Sequence, residues 1–451
     1  MLKVLNIVDE YKDLILEAEK WIWENPETGF KEFKTSKYLA DAFTKMGYKL
    51  TFSEGITGFS TTIDTGREGP TVLVIAEMDS LINFNHPACD KTTGAVHNCG
   101  HHVQCAAILG LAVTLKREEI LSQLSGKVKL CLVPAEEGIE IGYRKDLINK
   151  GQLKFSSGKP EFFRRGFFDD VDIAMMIHAK ITRDPKVKFI MTKGHNGVIR
   201  KQTTVYGKAS HAGVTPDKGI NALNAANLAL LAVNSLRETF REKDYVRFHS
   251  IITKGGDAVN AVPEKVTIES YVRAASAIAM KKYNQDINRA ISASCAAIGA
   301  TAYIEDLSGA EPLTEDANLR QVAFEVFEQI DGKDCYVYDD DWMASSTDMG
   351  DMSTLFPTIH VYTTGCSGII HGKDFAVDDP YVSCVNGTKA ELGIVYSLLR
   401  DGAKRAKEIV NAYNPVFKSV EEYLEHKYSL NLNKTTVVYN EDGTVTLDYK
   451  N

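Results

Sequence analysis

Apolar and polar positions change period several times along the first half of the chain, and each change marks an element. In "LNIVDEYKDLILEAEKWIWENPETG" apolar residues recur at helical spacing until Pro26 and Gly29 interrupt them. "TSKYLADAFTKMGY" repeats the pattern and predicts a second amphipathic helix, closed by Gly47. "PTVLVIAEMDSL" is instead a short, nearly unbroken apolar run, the mark of a strand covered on both faces. "GKVKLCLVPAEEG" and "FDDVDIAMMIHAK" read the same way, ending in Glu136–Glu137 and in His178. After the first of these strands, "VQCAAILGLAVTLKREE" predicts a helix whose first turn lies just beyond His102. Alternating strands and helices predict an α/β fold, a doubly wound sheet with helices on both faces. Sites in such sheets form beyond the carboxyl ends of the strands, where Asp79, Glu136, Glu137 and His178 fall.

From about residue 194 the rhythm becomes that of half-exposed strands. "VIRKQTTVYGK" alternates apolar and polar residues, and helices and strands then follow in the order βαββαβ. This predicts a ferredoxin-like α/β domain over residues 194–309, inserted into a larger domain built from 1–193 and 310–415. The larger domain would end in one long helix, "GTKAELGIVYSLLRDGAKRAKEIVNAY". Residues 416–451 form an extension with a hairpin around "EDG", expected to pack on the larger domain.

Composition narrows the function classes. A chain of 451 residues is too long for one core and suits two domains. A net charge of −8 gives no basic footprint for nucleic acid. The longest apolar run, residues 106–113, is far short of a membrane span. "MLKVLNIVDEYKD" turns acidic too early for a signal peptide, and the 8 cysteines lack disulfide-like spacing. A reducing, cytoplasmic setting is the expectation.

In that setting "HNCGHH" stands out. Cys99 and His101 offer sulfur and nitrogen, and Gly100 lets the backbone turn so that both face one point. Of Glu136 and Glu137, one could bind a metal while the other faces its water. His178 and His371, the latter in "GCSGIIHGKDFA", add nitrogen ligands, and Asp79 could orient one of them. Each has a plainer reading: a histidine-rich turn, a solvated strand end, a satisfied polar residue, a helix cap. Taken together, several candidate ligands at strand ends favour a metal centre. In the inserted segment, His211 lies on a loop, and Asn260 and Arg273 flank a strand. The last two could grip a carboxylate or could be ordinary surface residues.

The motifs "NPETGFKEFKTS", "AEMDSL", "TGAVHNCGHH", "PAEEG", "DDVDIAMMIH", "SHAGVTPDKGINAL", "GGDAVNAVPE", "STDMGDMSTLFP" and "GIIHGKDFA" occur in order along most of the chain. The set resembles the metallopeptidase family of hippuricase, auxin-conjugate amidohydrolases, aminoacylases and carnosinase. It is most like the branch of p-aminobenzoyl-glutamate hydrolase. The resemblance implies two divalent ions per chain, zinc or manganese, held by Cys99, His101, Glu137, His178 and His371, with Cys99 bridging. It implies Glu136 as general base, Asp79 as the partner of a ligand, and a homodimer built through the inserted domain. His211 would reach the other protomer's site, and Asn260 and Arg273 would hold a substrate carboxylate. The substrate would be a small amide or dipeptide. His102 and Gln104 depart from the Asp and His of many hippuricase-like relatives, and Thr347–Asp348 stands where they carry "ED". A carnosinase-type dipeptidase, a non-catalytic metal-binding dimer and a redox role for Cys99 are the competing readings.

Overall fold

In the computed structural model, which describes residues 1–450, four adjacent strands run parallel. They are Lys127–Val133, Thr71–Glu77, Ile173–Ile181 and Thr358–Ser367, in that spatial order. All seven residues of Thr71–Glu77 are buried, as an unbroken apolar run requires when both faces are covered. Each fully buried Val, Leu or Ile there contributes about 1.5–3 kcal/mol of apolar burial. Antiparallel neighbours on either side widen the sheet to nine strands, so it is mixed. The helix His101–Thr114 is buried at every residue but Val113, and packs against helices Lys12–Glu24 and Asn386–Ala412.

Two of these elements differ from the sequence pattern. The third apolar strand continues through His178 to Ile181, because Thr358–Ser367 pairs with it that far. The single long helix is interrupted at Arg400–Ala403, where Asp401, Gly402 and Ala403 take positive φ.

The chain divides into two compact units. The first comprises Met1–Gly194, Thr314–Asp341 and Asp351–Val420. The second comprises His195–Leu313, Trp342–Gly350 and the chain from Glu421 onward. In the second unit, antiparallel strands stand in the order Arg247–Lys254, Lys265–Ala274, Gly197–Tyr206, Thr301–Ser308 and Leu432–Thr435. Helices Ala222–Ser235 and Ala277–Ala297 cover the alternate apolar residues Val205, Val266, Ile268, Ala302 and Ile304. Residues 416–420 stay with the first unit as expected, but from Glu421 onward the extension does not. Leu432–Thr435 pairs with Thr301–Ser308, and the "EDG" hairpin, Val437–Tyr439 with Val445–Leu447, follows in the same unit.

All eight cysteines are unpaired and buried. Among the described residues no helix is long and apolar enough to cross a membrane.

Candidate metal centre

Beyond the carboxyl ends of the four parallel strands, side chains from distant parts of the sequence converge. The Thr71–Glu77 strand ends in Glu77 and leads to Asp79, and Lys127–Val133 leads to Glu136 and Glu137. His178 comes from the third strand, and His371 from the loop after the fourth. Cys99 and His101 sit on either side of Gly100, whose φ is +95°. A Cβ on Gly100 would lie 2.5 Å from the Ala179 Cβ, so only glycine lets this turn rest on the third strand. Asn98 fastens the late loop to the turn: its carbonyl accepts the His371 N–H at 2.8 Å, and its amide donates to the Gly372 carbonyl at 3.0 Å.

The Cys99 sulfur lies 3.5 Å from His178 Nε2 and 3.3 Å from His371 Nε2. Glu137 Oε1 is 3.4 Å from the same His371 nitrogen. Two groups of possible ligand atoms result, Cys99–His101–His178 and Cys99–Glu137–His371, each within 4.8 Å and sharing the thiol. A third, His101–Glu136–Glu137, brings in the other glutamate.

The tautomers suit a metal. His101 Nδ1 donates to the Asp79 carbonyl at 2.9 Å and faces Asp79 Oδ1 at 3.2 Å. His178 Nδ1 donates to the Ala179 carbonyl at 2.9 Å. Both Nε2 lone pairs are thereby left for an ion, the usual arrangement around ligating histidines. The second Asp79 oxygen accepts the Glu137 N–H at 2.9 Å, so one carboxylate fixes two of the five candidate ligands. His101 Nε2 and Glu137 Oε1 are buried without a well-aligned hydrogen-bond partner among the described residues, a lack that ions held in the two groups would remedy.

Electrostatics agree. Burial, and next His101, push the His178 pKa down to about 4, so its ring is neutral. Burial works against the charge on Glu137, but His371 and His101 outweigh it and hold the carboxyl at about 2. Burial and then Glu137 push the Cys99 thiol well above its usual range. A cation is what would turn that thiol into a thiolate ligand.

Residues 193–298 match the family described as the peptidase dimerisation domain of the M20 peptidases. Thermostable carboxypeptidase 2 of Saccharolobus solfataricus is 27% identical over 325 residues, covering 69% of this chain and 76% of its own. One of the p-aminobenzoyl-glutamate hydrolase polypeptides of Escherichia coli is 27% identical over 259 residues, covering 56% of this chain and 49% of its own. A Bacillus subtilis structure titled a dinuclear metal binding peptidase from the M20 family superposes with a TM-score of 0.66. It is 18% identical, over 87% of this chain and 99% of its own. The chain is a hydrolase that carries the dimerisation domain of M20 peptidases.

Other candidate residues of this hydrolase stand elsewhere. His102 is buried but turned away from the ligand groups: its Nε2 lies 3.3 Å from Glu19 Oε1, and its ring packs on Trp23 and His97. In the second unit, His211 is exposed, and its Nδ1 accepts the N–H groups of Gly213 and Val214 at 3.2 and 3.1 Å. The ring proton must then be on Nε2, which becomes a donor. Asn260 is held beside it by the Ala212 N–H to Asn260 carbonyl bond at 3.0 Å. Arg273 bonds Ser346 Oγ at 2.8 Å. Asn260 precedes the Lys265–Ala274 strand while Arg273 stands near its far end, a span of about 26 Å at 3.3 Å per residue. Within one chain the two do not meet.

Sequence reading missed the supports of this centre. Glu32 accepts the Ala135 N–H at 2.9 Å, and the buried Arg144 donates to the Glu137 carbonyl. Glu77 is paired with the buried Lys159 and bonded to Gln104. The one signal available was Glu77, a single charge in the otherwise apolar run "TVLVIAEM".

Proposed function

We propose that this hydrolase cleaves an N-acyl or aminoacyl amide bond and releases an amino acid with a free carboxylate. N-acyl amino acids and aminobenzoyl-glutamate are the substrate type. The observation that carries the reading is the shared thiol: Cys99 belongs to two ligand groups at once, the arrangement two adjacent ions need. His101 and His178 would complete one site and Glu137 and His371 the other, and the thiol and imidazole donors suit zinc, with manganese the alternative. When bound, such ions polarise the scissile carbonyl and acidify water.

The chain's own groups do the rest. Glu136, half-buried beside Glu137, takes the proton of the attacking water and returns it to the departing nitrogen. Asp79 keeps His101 in the tautomer with Nε2 free. The Nε2–H of His211 is suited to donate to the carbonyl oxygen as its negative charge grows. Arg273 and Asn260 would hold the substrate carboxylate. Because they stand at opposite ends of one strand, a carboxylate touching both would be held by two copies of the chain. A homodimer formed through the dimerisation domain would supply them, with His211 serving the partner's centre.

The test is amine release by metal-stripped protein, before and after zinc or manganese is restored. The panel comprises N-acyl amino acids, aminobenzoyl-glutamate and dipeptides. Metal-dependent release from the acylated substrates is expected. Release only from dipeptides with a free α-amino group would make the enzyme a dipeptidase. No release with two ions bound would make it a metal-binding dimer.

A further inference from the structure

We propose that Lys159 is a positioning residue that keeps Glu77 out of the metal ligand set and so preserves an open coordination position. This rests on the two-ion reading above and extends it to residues outside the ligand groups.

Glu77 ends the Thr71–Glu77 strand with 1% of its surface exposed, and its carboxylate is divided between two partners. Oε1 pairs with the Lys159 ammonium, itself 0% exposed. Oε2 lies 3.2 Å from His101 Nε2, the nitrogen left free for an ion, and accepts from Gln104 Nε2 at 2.9 Å. Two ligands of a tetrahedral ion with bonds of about 2.0 Å stand about 3.3 Å apart. Glu77 Oε2 is therefore already at ligand distance from a ligand. Its chemistry also suits the role, since carboxylate oxygen binds both zinc and manganese.

What restrains it is a device fitted to the glutamate loop. Lys159 is the second residue of the helix Gly158–Arg164. A Cβ on Gly158 would lie 1.8 Å from the Pro134 carbonyl oxygen, so the helix starts in direct contact with the "PAEEG" segment. The Gly158 N–H donates to the Ala135 carbonyl at 3.2 Å. The ammonium is thus placed by the same backbone that places Glu136 and Glu137. Gln104 adds a second restraint: its carbonyl accepts the Glu77 N–H at 2.9 Å while its amide holds the carboxylate. Without Lys159, Glu77 would be a buried anion lacking its cation, an arrangement proteins strongly disfavour. The nearest positive charge left would be the ion beside His101. Glu77 would turn to it and close the position that water and substrate need.

The experiment uses cobalt(II)-loaded full-length protein, because cobalt's visible absorption weakens as its coordination number rises. Lys159→Met is expected to keep its cobalt, absorb more weakly and lose the ion to a chelator more slowly than wild type, because an added ligand must also let go. Glu77→Gln alone should leave the wild-type spectrum unchanged, since Glu77 is no ligand there. Combined with Lys159→Met, it should restore that spectrum. A Lys159→Met spectrum identical to wild type overturns the proposal, and so does a changed spectrum in Glu77→Gln. If Lys159→Met fails to fold, Lys159→Gln, which removes the charge but keeps a polar end, takes its place with the same expected and overturning spectra. A wild-type chain that binds no cobalt would instead overturn the two-ion reading beneath it.

Discussion

Glu32 accepts the backbone N–H of Ala135 at 2.9 Å, and Ala135 is held at φ +56°, where an alanine is strained. The residue just before the two glutamates is thus kept in a costly conformation by a buried carboxyl more than a hundred positions earlier. Burial, and next the charge of Asp79, push Glu32 from 4.5 to about 8. The folded protein therefore binds this proton more tightly than the unfolded chain. Its contribution to stability is complete below pH 4.5 and is lost as pH rises to about 8. Glu32→Gln keeps an acceptor for Ala135 and removes the titration. Thermal unfolding followed across that pH range should show a shallower decline in the variant. Glu315, which burial raises to about 8, leaves a residual slope in both. An unchanged decline would show that Glu32 does not hold its proton.

Glu136 tests the chemistry without disturbing the ligands assigned here. Glu136→Gln should lower kcat by about 10²–10⁴-fold while metal content and melting temperature stay near wild type. Metal analysis beside steady-state kinetics reads both. Full turnover would remove Glu136 from the reaction.

Cys99 should report metal binding as a proton. Burial keeps the thiol protonated in the absence of a cation, so binding an ion must release that proton. Calorimetric titration with zinc in buffers of different ionisation enthalpy should find one more proton released by wild type than by Cys99→Ala. The variant, having lost the donor common to both groups, should also bind metal more weakly. Equal proton release would mean that the sulfur is not a ligand.

The two-copy reading makes a complementation prediction. Glu136→Gln and His211→Ala homodimers should each be nearly inactive. Mixing them under conditions that exchange protomers should regenerate activity, since some hybrid centres then carry Glu136 from one chain and His211 from the other. A mixture no more active than its components would confine His211 to its own chain or to no role.

Much of this centre could be read before any fold was known, because its reactive groups sit at the ends of strands with unmistakable apolar runs. "PAEEG" and "CGH" are local signals of that kind. Where the reading fell short, the missing information was long-range. Lys159 and Glu77 are 82 residues apart, and although Glu77 stands out in its apolar run, nothing near it in sequence points to Lys159. A buried ion pair becomes visible only when two segments are packed together. Leu432–Thr435 escaped for another reason. It is short, with Leu432 its only apolar residue, and only its pairing with Thr301–Ser308 makes it a strand. His178 was legible as a strand residue but not as an interior one, since the strand's length is set by its neighbour.

That same pairing has a consequence during synthesis. The edge of Thr301–Ser308 is translated about 120 residues before the strand that covers it. At about 5–20 residues per second the ribosome leaves that edge without its neighbour for roughly 6–25 s. An uncovered edge is a template for pairing with the wrong chain. Nascent chains crowded on one message are most exposed during this interval, so slow translation of the last third of the coding sequence should lower soluble yield even though the finished protein is unchanged.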